Sequence, residues 1–360
     1  MSTQATRDLL NQGRKAFEDR DFQEAFRLFS LAIYDLEEKD EESIQLSEQE
    51  RTEAYILRGT ALWREDEPKT FQDPDIFHQV LNDLEQALDV QPRNAALLNL
   101  RGRFYLNAAF DDFRHEAKED FKAALEVLPD DPESLRNMGE ALSKLEEYSL
   151  AADYLTKAID AGDAGPELWL MRGVAFFKKI PPEFQAAAAD FGQAEVLAPE
   201  VEETYVWRAQ CFQEMQELEL AIQEYDKLIS FAPKAAYFVD RGVVKLEMSM
   251  DEALADFEEA LELEVHPLAL NNRAAILRLK GDLQAAENDA REALRISPDF
   301  AVAHATLAEV YADQGNLPGL KEQLSLAIDS YYDDVMEVLT EPAFEPYLQE
   351  DWMQALLQKA

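Results

Sequence analysis

The chain has 360 residues, 47% of them apolar, and 74 acidic against 34 basic side chains give it a net charge of −40. That charge excludes unaided binding to nucleic-acid phosphates or an anionic membrane, and the apolar share, with aromatics from Phe17 to Trp352, excludes wholesale disorder. The one cysteine, Cys211, excludes an internal disulfide framework and a multi-cysteine zinc site.

In chain order, the start MSTQATRDLLNQG has no apolar signal core, and no later stretch is long and apolar enough to span a bilayer, so a soluble, cytoplasmic protein is expected. A series of helix pairs then follows. Gly13, Ala25, Phe29 and Ala32 mark the first, and the acidic run DLEEKDEESIQLSEQE precedes the second. The second has the longest insertion, REDEPKTFQDPDIF, before Leu84, Ala87 and Pro92. The third runs Gly102, Ala117, Phe121, Ala124, Pro129; the fourth Gly139, Ala151, Leu155, Ala158; the fifth Gly173, Ala187, Phe191, Ala194, Pro199. Ala209, Ala221, Tyr225 and Pro233 mark the sixth, and Gly242, Ala253, Phe257 and Ala260 the seventh. The eighth has Ala274, Ala286, Ala293 and Pro298, and a weaker ninth has Ala308, Leu320, Leu324 and Ala327.

This spacing has a physical reason. A small residue in the first helix lets a large residue of the second approach its backbone, and small residues seven apart on the second helix let it approach its neighbours. Proline ends the pair because it cannot continue a helix interior. In KGD at 280–282 and QGN at 314–316, glycine supplies the left-handed conformation that closes the first helix.

On these residues the chain resembles the tetratricopeptide repeat proteins, over residues 6 to about 332. The resemblance implies an all-α fold: a right-handed superhelical solenoid of about nine antiparallel helix hairpins over residues 1–332, with a C-terminal capping segment over 333–360. The tail has the apolar helical pattern Val335, Met336, Val338, Leu339, then Trp352, Leu356 and Leu357, and is expected to cover the ninth hairpin.

Six copies have an arginine just before the small residue: Arg58, Arg101, Arg172, Arg208, Arg241 and Arg273. The same copies have Asp83, Asp120, Asp190, Glu224, Asp256 and Asp289 just before the ring slot of the second helix. The copies without the arginine have Leu28, Tyr154 and Gln323 there, so acid and arginine come and go together. Pairing across neighbouring copies fails, because Arg172 would then meet Tyr154. Six salt bridges inside single hairpins are therefore expected, as struts and not as a ligand ladder.

In the family the first helix of each repeat lines the concave face, which implies a groove read from its second, fifth, ninth and twelfth positions. Near the start these include Arg14, Trp63, Arg103, Leu106 and Arg136. Further on they turn apolar: Leu170, Val174, Phe177, Val206, Val239, Val243 and Leu246, which are expected to form one partly exposed inner surface. Asn272 alone matches the co-chaperone domains that clamp a C-terminal carboxylate; Val239 and Val243 stand where that clamp needs lysine and asparagine.

The expected function is a non-enzymatic adaptor that binds a protein or peptide in its concave groove, with no nucleic acid, membrane, metal or cofactor. No phosphate-binding glycine loop is present, and His78, His115, His266 and His304 lack metal-ligand spacing. Two alternatives are an acidic holding chaperone for a basic partner and a regulatory subunit of a separate enzyme.

Overall fold

The computed structural model describes residues 3–37, 46–65, 70–71, 73–108, 113–329 and 342–359. Every regular element among them is helical. The chain divides into two units, Met1–Ala198 and Pro199–Ala360.

The first unit stacks five antiparallel pairs: α1 (Thr3–Glu18) with α2 (Phe22–Glu37), α3 (Glu48–Glu65) with α4 (Pro74–Val90), α5 (Ala95–Asn107) with α6 (Arg114–Val127), α7 (Pro132–Lys144) with α8 (Tyr148–Asp160), and α9 (Pro166–Lys178) with α10 (Phe184–Leu197). The second holds four: α11 (Glu202–Glu214) with α12 (Leu218–Phe231), α13 (Ala235–Leu246) with α14 (Met250–Leu263), α15 (Pro267–Leu279) with α16 (Leu283–Ile296), and α17 (Ala301–Gln314) with α18 (Leu317–Asp329). A 3-10 turn (Pro342–Tyr347) and α19 (Asp351–Lys359) follow.

Local chemistry sets the helix ends. Before α3, Ser47 and Glu50 form a reciprocal capping box: Glu50 N donates to Ser47 Oγ at 3.2 Å and Ser47 N to Glu50 Oε2 at 2.8 Å. Asp131 caps α7, which then starts on Pro132, a residue preorganised for a first helical position. Pro92, Pro129, Pro199, Pro233 and Pro298 fall just past the second helices, as the spacing predicts.

The expected contact is present where a glycine faces a ring, whereas Gly59 of the second hairpin meets Asp83 and the Val80 carbonyl instead of Leu84. A Cβ built on Gly102 would lie 2.5 Å from the ring of Phe121, on Gly173 2.6 Å from Phe191, and on Gly242 2.7 Å from Phe257. These rings are fully buried, as are the alanines that flank them, such as Ala117, Ala187 and Ala253. The small residues are thus required by the close passage of the two helices.

Gly281 and Gly315 have φ of +86° and +70°, as the turn chemistry predicts. Each stands seven residues after the small residue of its first helix, Ala274 or Ala308. The same offset from Gly13, Gly139 and Ala209 reaches Arg20, Glu146 and Gln216, whose φ values are 61°, 61° and 60°. In these five hairpins the left-handed turn forms whatever residue occupies it, whereas at the same offset from Gly242 in the seventh hairpin Ser249 is extended, with φ of −155°.

At the end of the second unit, Phe344 and Met353 are fully buried in one cluster with Tyr311, Leu320, Leu324 and Ala327 of the last hairpin. The side chains of Val335, Met336, Val338, Leu339 and Leu357 lie outside the described residues.

Two substitutions test this framework by denaturant melting. Gly173→Leu is expected to overpack the hairpin and destabilise by about 1–3 kcal/mol. Glu146→Gly is expected to stabilise by about 0.5–1 kcal/mol, because relief of the left-handed strain exceeds the added chain entropy.

Candidate functional site

All six arginine–acid pairs form inside their hairpins. Arg101 donates from Nε and Nη2 to Asp120 at 2.8 and 2.7 Å, and Arg172 to Asp190 at 2.7 Å through both nitrogens. Arg241 meets Asp256 at 2.9 and 2.7 Å, and Arg273 meets Asp289 at 2.6 and 2.9 Å. Arg58–Asp83 and Arg208–Glu224 complete the set. Burial pushes the Asp120 and Asp190 carboxyls up, with the facing guanidinium opposing it. The Arg101 guanidinium is pushed up in turn by its bond to Asp120.

The structure adds a second contact. Arg172 Nη1 reaches Thr156 Oγ1 at 3.2 Å, and Arg241 Nη1 reaches Asp226 Oδ1 at 2.5 Å, both in the preceding hairpin. Thr156 and Asp226 each follow the residue in the ring slot, Leu155 or Tyr225. Glu85 and Glu258 hold that slot before Arg101 and Arg273 and push those guanidiniums up as well. Each of these four arginines therefore ties its own hairpin and also feels the one before it. They are struts and not a ligand ladder.

Most cations on the inner face of the first unit are also paired. Arg14 makes a two-point contact with Glu53 at 2.7 Å, and Arg7 meets Glu50 at 2.8 Å. The bond from Arg7, with help from the Ser47 backbone, holds the Glu50 carboxyl down at about 2. Arg136 pairs with Asp163 at 3.1 Å.

One place on this face departs from that pattern. Between α3 and α5 a cavity of about 330 Å³ is lined by Thr60, Trp63, Arg64, Leu100, Arg103 and Asn107. Thr60 and Arg64 stand one and five residues after Gly59, and Arg103 and Asn107 stand likewise after Gly102. Residues four apart share one side of a helix, so consecutive hairpins present matching walls. Trp63 forms part of the lining, set edge-on to Phe104 at 5.1 Å and Phe71 at 6.0 Å between ring centroids. Its indole N–H is buried and has no acceptor among the described residues. Among the described residues Arg64 has no acidic partner, and the nearest one to Arg103 is Glu133 at 3.7 Å, both half exposed. An exposed pair at that separation contributes little.

Of the inner-face residues expected from the sequence, Trp63 and Arg103 therefore share a cavity. Leu106 does not join it: it is buried in the core cluster around Phe121 and Leu135, because its side of α5 turns into the stack. Val239 is a second correction, since it is 1% exposed inside the cluster of α13, α14 and α15. In the first unit Leu170, Val174 and Phe177 are half-buried on α9, and Phe177 packs edge-on to Phe184 of its own hairpin at 5.2 Å. In the second unit Val206, Leu246 and Asn272 are half-buried, Val206 and Leu246 packing against core clusters, while Val243 is exposed. The sequence reading missed Arg64 and Asn107, which occupy the thirteenth helix position, one turn beyond the ninth that it did use.

Two side chains that could carry chemistry, Cys211 and His304, are buried. Burial pushes the Cys211 thiol up to about 12, so at neutral pH it is no nucleophile. His304 is held between Gln323 at 2.7 Å and the Pro298 carbonyl at 3.0 Å. Among the described residues no helix is long and apolar enough to cross a membrane.

Family models described as tetratricopeptide repeat match residues 112–166, 202–234 and 250–301. The chain carries tetratricopeptide repeats at these residues. Among curated relatives, sperm-associated antigen 1 of Mus musculus is 33% identical over 106 residues, 29% of this chain and 12% of that protein. Tetratricopeptide repeat protein 13 of Homo sapiens is 27% identical over 146 residues, 39% of this chain and 17% of that one. The repeat array thus spans under a fifth of either relative. Among solved structures, the C-terminal part of a repeat-containing protein from Cytophaga hutchinsonii superposes with a TM-score of 0.56 at 16% identity, covering 73% of this chain and 98% of that one, which shows the fold alone. A tetratricopeptide repeat array is a scaffold for protein–protein interaction, with a protein or peptide as the class of partner.

The strut reading has a direct test. Arg172→Met leaves Asp190 buried without its partner and is expected to destabilise by about 3–5 kcal/mol, whereas Arg172→Met with Asp190→Leu is expected to recover most of that loss. Denaturant melting of the full double-mutant cycle checks it.

Proposed function

We propose that the chain is a non-enzymatic adaptor that holds an extended segment or helix of another protein against the first helices of its hairpins. The observation that supports this most is the cavity between α3 and α5, whose walls come from equivalent positions of consecutive hairpins. A partner segment crossing the first helices meets an aromatic and aliphatic floor in Trp63 and Leu100, with polar groups at its rim. Exposed Val243 supplies apolar contact in the second unit. Residues 342–359 fit the role of end cover, since Phe344 and Met353 fill the last hairpin's core.

A second reading, capture of a basic partner, has its own support in the second unit. There a cavity of about 590 Å³ has Glu258, Glu262 and Glu292 around Leu261, Val265 and Leu270, with the paired Arg273 and Asp289 also in its wall. Charge contacts of that kind weaken steeply with salt, whereas apolar groove contacts do not.

Filling the first cavity tests the leading reading. Asn107→Trp, at an exposed rim position, is expected to weaken binding of peptides selected on the wild-type chain by tenfold or more, at low and high salt alike. Helix content and melting temperature should stay unchanged. Unaltered affinity would move the site away from α3 and α5, and binding that vanishes with salt in both proteins would favour the basic-partner reading.

A further inference from the structure

The cavity between α3 and α5 has a chemistry of its own. Its lining offers two guanidiniums from Arg64 and Arg103, the amide of Asn107 and the hydroxyl of Thr60 and, among the described residues, no carboxylate. In a chain with 74 acids and 34 bases, an arginine without an acidic partner is the exception. Arg7 and Arg14, on the same face, are both held by glutamates at 2.8 and 2.7 Å. Arg64 has no such partner among the described residues, and Arg103 keeps only a loose one at 3.7 Å. We propose that this cavity takes the side-chain carboxylate of a glutamate or aspartate within the partner segment; the inference rests on the groove reading above and names what the groove selects.

Three physical points support a carboxylate. Guanidiniums present paired N–H donors that match its two oxygens, and charge-assisted bonds of this kind are among the stronger polar contacts. Trp63 and Leu100 give the methylene groups of an acidic side chain an apolar wall to lie on. The net charge of −40 repels a dianion more than a monoanion, so a carboxylate is favoured over a phosphorylated side chain.

The test uses the full chain and an array of synthetic peptides, N-acetylated and C-amidated so that no terminal carboxylate is present. Bound peptides are expected to share one acidic residue. Changing it to glutamine should weaken binding roughly tenfold to a hundredfold. The variant Arg64→Gln/Arg103→Gln should bind the acidic and glutamine peptides alike, with an unchanged melting temperature, since both arginines are exposed. Arg64→Gln alone should lose part of the preference. In sequence Arg64 is followed by Glu65, Asp66 and Glu67. A preference that emerges only after Asp66→Asn/Glu67→Gln would make that run the occupant and overturn the proposal. So would bound peptides without an acid, a preference that survives the double arginine variant, or tighter binding of a phosphoserine peptide. Peptides that bind without acid selectivity leave the groove reading standing, whereas an array on which nothing binds sinks both.

Discussion

The ring of Phe191 lies so close to the backbone of Gly173 that not even a methyl group fits between them. The same contact recurs between Gly13 and Phe29, Gly102 and Phe121, and Gly242 and Phe257. It draws the paired helices together and fixes their rotation, because only one side of the first helix can meet the ring. Once that side is fixed, the residues one and five places after the small residue face away from the partner helix. The matching walls of the cavity between α3 and α5 follow from this, since Thr60 with Arg64 and Arg103 with Asn107 stand at equal distances from their glycines.

The close approach also decides where charge can be buried. The residue before the small one points into the cleft between helices, where an arginine loses water and needs a partner. The acid before the ring slot supplies it, and the preceding hairpin receives the remaining donor at Thr156 or Asp226. Hairpins without the arginine place Leu28, Tyr154 or Gln323 at the acid's position, so neither charge is left alone. In a chain of net charge −40, these pairs remove six carboxylates from the exposed acidic field and use them as fasteners.

The sequence made much of the hairpin legible, because its rules concern residues a fixed number of places apart. The buried alanines and rings, the closing prolines, the left-handed glycines and the six ion pairs all follow from such spacings. Contacts between hairpins were harder. Arg14 with Glu53 and Arg136 with Asp163 depend on how one pair is set against the next, which a repeat period does not state. Val239 and Leu106 read as groove residues by position, yet their apolar side chains are covered by the stack. Arg64 was missed although it lies one turn beyond Thr60, since the groove was read at the twelfth position and not the thirteenth. Arg20, Glu146 and Gln216 carry no turn signature in their chemistry, and only their offset from Gly13, Gly139 and Ala209 marks them.

Cys211 is fully buried in α11, and its thiol is held in the protonated form. The native chain therefore presents no thiol that maleimide or methanethiosulfonate reagents can reach. A cysteine introduced on any exposed helix face becomes the sole site of attachment, for a spin label, a fluorophore or a photo-crosslinker. The molecule is in effect a ready-made cysteine-free background, with no need to mutate a residue out of its core.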